Sequence, residues 1–182
     1  MAKKKKEEVV EQKELNVDTV HLLRSVMKVS SALNDIDEIS FRKKYYKFKF
    51  KVEAERWTKY MEMHTAQIMS NLIEEDSELL QEIYNTIEES TSKVQLDTPE
   101  KTSLAIFYCK LKSCLYDLEQ IQDHKDSFYP KFIEFHTRRV VKELDKQYKS
   151  ILNTVDEEGR DLNFIIDFFN NLGAKIMRYE NQ

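Results

Sequence analysis

Tyr46-Lys47-Phe48-Lys49-Phe50-Lys51-Val52-Glu53 is the stretch on which the fold class turns. Apolar and charged residues alternate there with period two over eight residues, the pattern of a half-buried strand. The same region also fits a helix, through the 3–4 spacing of Phe41, Tyr45, Phe48 and Val52. A lone strand needs a pairing partner, and Val94-Gln95-Leu96 is the sole other candidate. Helix is therefore the expected state. A short β excursion over residues 46–52 is the alternative, its edge then completed by another subunit.

The rest of the chain argues for helix throughout. Gly159 and Gly173 are its two glycines and Pro99 and Pro130 its two prolines, where average usage would supply roughly a dozen and about nine. Tight turns and phosphate-cradling loops depend on glycine at φ > 0, so long helices with short polar joints are what remains. Residues 1–14 read as a charged, flexible tail, and 15–182 as a single helical domain. Val20, Leu23, Met27 and Ser30 form a stripe on a first helix that Asn34-Asp35 ends. A long helix over Ser40–Glu75 aligns Trp57, Met61, His64, Ile68 and Leu72, and a shorter one follows with Leu80, Ile83 and Ile87 inward. Thr98-Pro99-Glu100 is the clearest start signal, an N-cap oxygen followed by proline at the first helical position and an acid in the first turn. The helix behind it runs to about Asp126, with Leu104, Tyr108, Leu111, Leu115 and Leu118 inward. Pro130 starts or kinks the next, which Val141, Leu144, Tyr148, Ile151 and Val155 carry to Gly159. Asp161 caps a last helix with a strict 3–4 alternation through Leu162, Ile165, Phe169, Leu172, Ile176 and Tyr179. The expected fold is all-α, an elongated bundle of five or six helices.

Composition excludes several kinds of chemistry. Walker and Rossmann loops lack their glycines, and no Gly-x-Ser-x-Gly elbow occurs. A di-iron carboxylate site would need Glu-x-x-His twice, yet Met61, Ile121 and Ile133 stand three residues before His64, His124 and His136. Only Asp18-Thr19-Val20-His21 has a ligand pair at that spacing. Cys109 and Cys114 lie five apart, too far around a helix to bridge, and read as buried small hydrophobes in a reducing setting. No run approaches the roughly 20 apolar residues of a membrane span. No apolar segment follows Lys3–Lys6, so no secretory signal is expected and the setting is intracellular or inside a viral particle. No cofactor, metal, small-molecule substrate or enzymatic activity is expected.

The net charge of −4 conceals segregation. Residues 1–60 hold 15 basic and 10 acidic side chains, whereas 61–100 hold Lys93 against 10 acids. A basic first third beside an acidic middle neutralises itself within the fold or between neighbouring copies. The basic share concentrates in a segment with Arg42, Lys43, Lys44, Lys47, Lys49, Lys51, Arg56 and Lys59, interleaved with Phe48, Phe50 and Trp57 among its aromatics. Such a segment serves as an amphipathic element whose aromatics enter a core or a protein interface, as a nucleic-acid surface in which cations neutralise phosphates and rings stack on bases, or as a membrane-surface element. Lys outnumbers Arg 22 to 7, which disfavours specific phosphate or base readout. In the last helix Phe164, Ile166, Phe168, Phe169 and Ile176 spread apolar surface over several faces, as expected of subunit packing. The expectation is a non-catalytic structural or assembly subunit of a larger multi-chain complex, a viral particle included, with other protein subunits as partners. A nucleic-acid-binding accessory protein using residues 42–60 is the alternative.

Overall fold

A computed structural model describes residues 17–69, 81, 85, 89, 92, 94–121, 128–153, 162, 163, 166, 167 and 170. Helix α1 spans Val17–Asp35 and gives way to a single 3₁₀ turn, Ile36–Glu38. Helix α2 spans Lys44–Met69, α3 Pro99–Gln120, α4 Phe128–Gln147 and the short α5 Lys149–Leu152. Residues 81, 85, 89 and 92 are helical and exposed, and residues 162, 163, 166, 167 and 170 are helical as well. Among the described residues the fold is all-α, with no strand.

The β alternative for 46–52 is thereby corrected, since α2 runs through it without a break. The helical face suggested by Phe41, Tyr45, Phe48 and Val52 is corrected too. Among the described side chains of α2, Phe50, Ala54, Trp57 and Met61 are buried, while Tyr45 and Phe48 are exposed. Their 4-3-4 spacing forms one stripe of a 3.6-residue helix. Phe50 and Phe41 both meet Phe107 of α3 edge to face, with centroids 6.3 and 6.4 Å apart. Three large rings from three elements thus share the centre, in the geometry their quadrupoles favour.

Helix α3 follows its sequence signals. The Thr98 side chain accepts from the Lys101 amide at 3.3 Å, and Thr102 Oγ1 accepts from the Leu96 amide at 2.9 Å, so the entry loop is tied to the first turn. Leu104, Tyr108, Leu111, Leu115 and Leu118 are all buried. The helix ends at Gln120 rather than near Asp126, where Ile121 turns extended. On α1 the expected stripe is only partly right. Leu23 is buried, but Met27 is half-buried and Ser30 exposed, and Leu22, Val29 and Ala32 supply the apolar contacts. Helix α4 stops at Tyr148, whose backbone leaves helical geometry at φ −124° and ψ 26°, instead of running on towards Gly159. Gly159 itself, the tail 1–14 and the cap Asp161 lie outside the described residues.

Helix α1 packs on α3, α3 on α4, α4 on α2 and α2 back on α1, so the four long helices close a ring around one core. Paired residues give the directions. His21 meets Asp117 and Lys110 meets Asp35, so α1 and α3 are antiparallel. Tyr108 meets Asp145 and Arg138 meets Glu119, which makes α3 and α4 antiparallel. The α1–α2 turn is clamped from both sides. Lys47 Nζ donates to the Ile39 carbonyl at 3.1 Å and Lys51 Nζ to Asp37 at 3.0 Å. Gln147 donates to the Ser40 carbonyl at 3.1 Å, and the Tyr148 hydroxyl shares that acceptor. No helix among the described residues is long and apolar enough to cross a membrane.

A strand would put Phe48 and Phe50 on one face, whereas α2 separates them. Phe50→Ala should therefore cost about 3–5 kcal/mol and Phe48→Ala under about 0.5 kcal/mol in urea unfolding, and equal costs would contradict the helix.

Candidate functional site

Two groups of side chains stand out. The first is buried. Asp117 of α3 has no solvent exposure, yet it carries a charge between α1 and α3. His21 Nδ1–H donates to its Oδ1 at 3.0 Å, Lys28 Nζ donates to its Oδ2 at 2.5 Å, and Arg24 Nη2 lies 3.4 Å from Oδ1. Lys28 spends its three protons on Asp117, on Ser113 Oγ at 2.5 Å and on the Ser113 carbonyl at 3.4 Å. Ser113 in turn donates to Asn170 Oδ1 at 2.9 Å, and Arg24 to the Asn170 carbonyl at 3.2 Å. The cluster thus joins α1, α3 and the helical residues 162–170.

Burial alone would push the Asp117 carboxyl up; Lys28, the His21 hydrogen bond and Arg24 outweigh it and hold it below the ordinary carboxylate range. Burial brings the Lys28 amine down to about 8 against the pull of Asp117. Asp117 is therefore an ionised acceptor saturated by donors, suited to fixing helices and unsuited to taking a proton from a substrate.

The second group is partly exposed and lies across α2 and α4. Arg139 stacks its guanidinium over Tyr46 at 4.5 Å and over Phe135 at 5.2 Å. Lys43 Nζ sits 5.2 Å from the Tyr46 centroid and Lys49 Nζ 5.8 Å from that of Tyr45, and the two tyrosine rings are 6.2 Å apart. A continuous run of rings and cations results: Phe135, Arg139, Tyr46, Tyr45, Lys49. The Arg139 hydrogen bond, with Lys43 behind it, holds the Tyr46 phenol below its usual range. His136, beside Phe135, is also pulled down, by its partial burial first, with Arg139 and Lys49 adding to the effect and Glu53 opposing it.

The basic segment divides on this surface. Phe50 and Trp57 are in the core and unavailable to a partner. Lys47 and Lys51 are held by Asp37, Arg56 by Glu53 at 3.0 Å, and Lys43 reaches Glu143 at 3.7 Å. Arg42, Lys44, Phe48 and Lys59 are exposed and Lys49 is half-buried. Of the packing candidates in the last helix, Ile166 is buried in this chain's own core, and Phe164, Phe168, Phe169 and Ile176 lie outside the described residues, as do the side chains of His64 and His124.

Cys109 and Cys114 are buried and unbridged, and burial pushes both thiols up, Cys109 to about 12. Among the described residues no group of three His, Cys, Asp or Glu side chains converges on a metal-sized site. Known protein families, curated proteins and solved structures were all searched, and none matches the chain.

The buried cluster was not anticipated from sequence. His21, Arg24 and Lys28 do follow a 3–4 spacing on α1, but such a charged stripe ordinarily marks a solvated face. Asp117→Asn should cost about 3–5 kcal/mol, because it strands the Lys28 and Arg24 charges out of water. Asp117 is depressed in the fold, so its stabilisation is complete above its unfolded pKa of about 3.9 and is lost as pH falls through the lower folded value. Urea midpoints between neutral and acid pH should fall less steeply in Asp117→Asn than in the wild type.

Proposed function

We propose that this chain is a non-catalytic structural or assembly subunit that joins other protein subunits through the outer face of α2 and α4. The observation that carries this reading is the exposure of Tyr45, Phe48 and Phe135, at 56%, 60% and 54%, on two adjacent helices. Phe132 is exposed on the same helix as Phe135, one turn earlier. Scattered exposed rings are ordinary; several on neighbouring helices supply the aromatic surface that interface centres use. A multi-chain particle, viral ones included, is the setting that such a chain suits.

The same cations and rings would serve a nucleic acid less well. Stacking on bases needs open ring faces, and Tyr46, Phe135 and Tyr45 already carry cations over theirs. Four of the eight basic residues between 42 and 59 are also met by carboxylates of this chain. What remains suits an interface with carboxylates and apolar groups.

Light scattering on a sizing column, with the 260/280 nm ratio recorded, tests the proposal. An assembled, nucleic-acid-free species is expected, and Phe48→Ser/Phe135→Ser should disperse it while leaving the circular dichroism unchanged. A monomer carrying nucleic acid that salt removes would overturn the assembly reading.

A further inference from the structure

The α2–α4 face poses a narrower question, which rests on the assembly reading: what chemistry covers it. Each cation in the run is held by a ring on one side. Arg139 lies on Tyr46 and Phe135, and Lys49 on Tyr45, so rings hold both charged heads in place. A guanidinium anchored this way has already lost the side-chain freedom that binding would otherwise remove, and it accepts a carboxylate readily. Arg42 and Lys44 add exposed positive charge near the start of α2. Three nearby acids are paired within the chain, Glu143 with Lys43, Glu53 with Arg56 and Glu134 with Arg138. The face thus presents Arg139 and Lys49 on their rings rather than on carboxylates of this chain.

The chain contains its complement. Between Leu72 and Glu89 the sequence places Glu74, Glu75, Asp76, Glu78, Glu82, Glu88 and Glu89 beside Ile73 and Leu79, with no basic residue. Carboxylates for the cations and aliphatic groups for the rings occur together in one short stretch. Gln81, Asn85 and Glu89 within it are helical and exposed. We infer that the α2–α4 face is an interface with a second copy of this chain, which covers it with the acidic 72–89 stretch. Each copy carries both halves, so two copies exchange them reciprocally. The result is a closed, two-fold dimer, the commonest arrangement for identical chains.

Charge reversal on both sides of the contact tests this. Wild-type protein at about 0.1 M salt should scatter as twice 21.8 kDa and fall to the monomer near 1 M, where the screening length drops from about 10 Å to about 3 Å. Lys49→Glu/Arg139→Glu places acid against acid, and Glu74→Lys/Glu75→Lys/Glu78→Lys places base against base. Each variant alone should be monomeric at low salt. Mixed in equal amounts they should return the dimer, because both contacts in the mixed pair are complementary. Lys44→Glu/Lys49→Glu replaces the first variant if circular dichroism shows that it has lost helix.

A wild type that is monomeric at low salt overturns the inference, and so does a mixture that stays monomeric. Salt-removable nucleic acid on the wild type overturns it in favour of a nucleic-acid surface. An oligomer that survives every charge reversal but is dispersed by Phe48→Ser/Phe135→Ser overturns the acidic pairing alone and leaves the assembly reading standing.

Discussion

A carboxylate with no access to water has to be met by cations, and Asp117 is met by two with a histidine beside them, all from α1. Replacing such a group wholesale by well-packed apolar residues is often neutral or favourable, so net stability is a poor account of its presence. Its geometric effect is larger. Lys28 has three donors and finds three acceptors within one turn of α3. Sliding α1 by a single turn, about 5.4 Å, would leave Lys28, Arg24 and Asp117 buried without one another. The apolar contacts alone set no such condition. Val29, Ala32, Ala105, Cys109 and Cys114 are small and would tolerate neighbouring registers. The charges reject the registers that the apolar residues would accept.

Once α1 and α3 are fixed, the other helices have little freedom. Asp37, in the turn after α1, holds Lys47 and Lys51 and so sets where α2 begins. Asp145 accepts from the Tyr108 hydroxyl at 2.7 Å, and Gln147 and Tyr148 close on Ser40, so α4 is held at its C-terminal end. Two hydroxyls within this frame bond back to their own helices: Ser25 donates to the Leu22 carbonyl at 2.7 Å and Thr58 to that of Ala54 at 3.0 Å. The polar bonds of the bundle concentrate on α1, α3 and the 36–43 turn. Between α2 and α4 the outward contacts are instead cations on rings.

Local chemistry was legible in the sequence, and distant pairing was not. Thr98-Pro99-Glu100 marks the start of α3 because a cap is decided within four residues, and the four leucines and the tyrosine behind it keep one phase. The last turn of α3 was misjudged because polar residues after Gln120 neither require nor forbid helix. On α2, Phe48 and Phe50 are chemically alike and two apart, so composition could not say which faces inward. That choice falls to Phe107, 57 positions away from Phe50 in the chain, which offers its ring to Phe50. His21, Arg24 and Lys28 look solvated until Asp117 is placed opposite them, 96 residues downstream of His21. The exposed site was half legible. The basic-aromatic segment is where the surface cations and rings lie, but Phe50 and Trp57 had to be subtracted from it, and Phe135 and Arg139 of α4 had to be added.

The capped rings bear on how an exposed aromatic surface persists. A bare phenylalanine in water costs free energy in proportion to its area, and several together invite indiscriminate association. A cation over the ring covers part of that area and brings a charge that repels surfaces of its own kind. Arg139 does this for Phe135 and Tyr46 at once, and Lys49 does it for Tyr45. A surface of this kind repels basic faces, its own included, and favours carboxylates beside apolar groups. Selectivity of that kind follows from the sign of the charges and needs no tight shape complementarity. It also demands that the chain keep its own acids away from the face. The sequence meets that demand in part, with 15 basic and 10 acidic residues in the first 60 and one basic against 10 acidic in the next 40. The chain's own acids meet Lys43, Lys47, Lys51 and Arg56 and leave Lys49 and Arg139 on their rings.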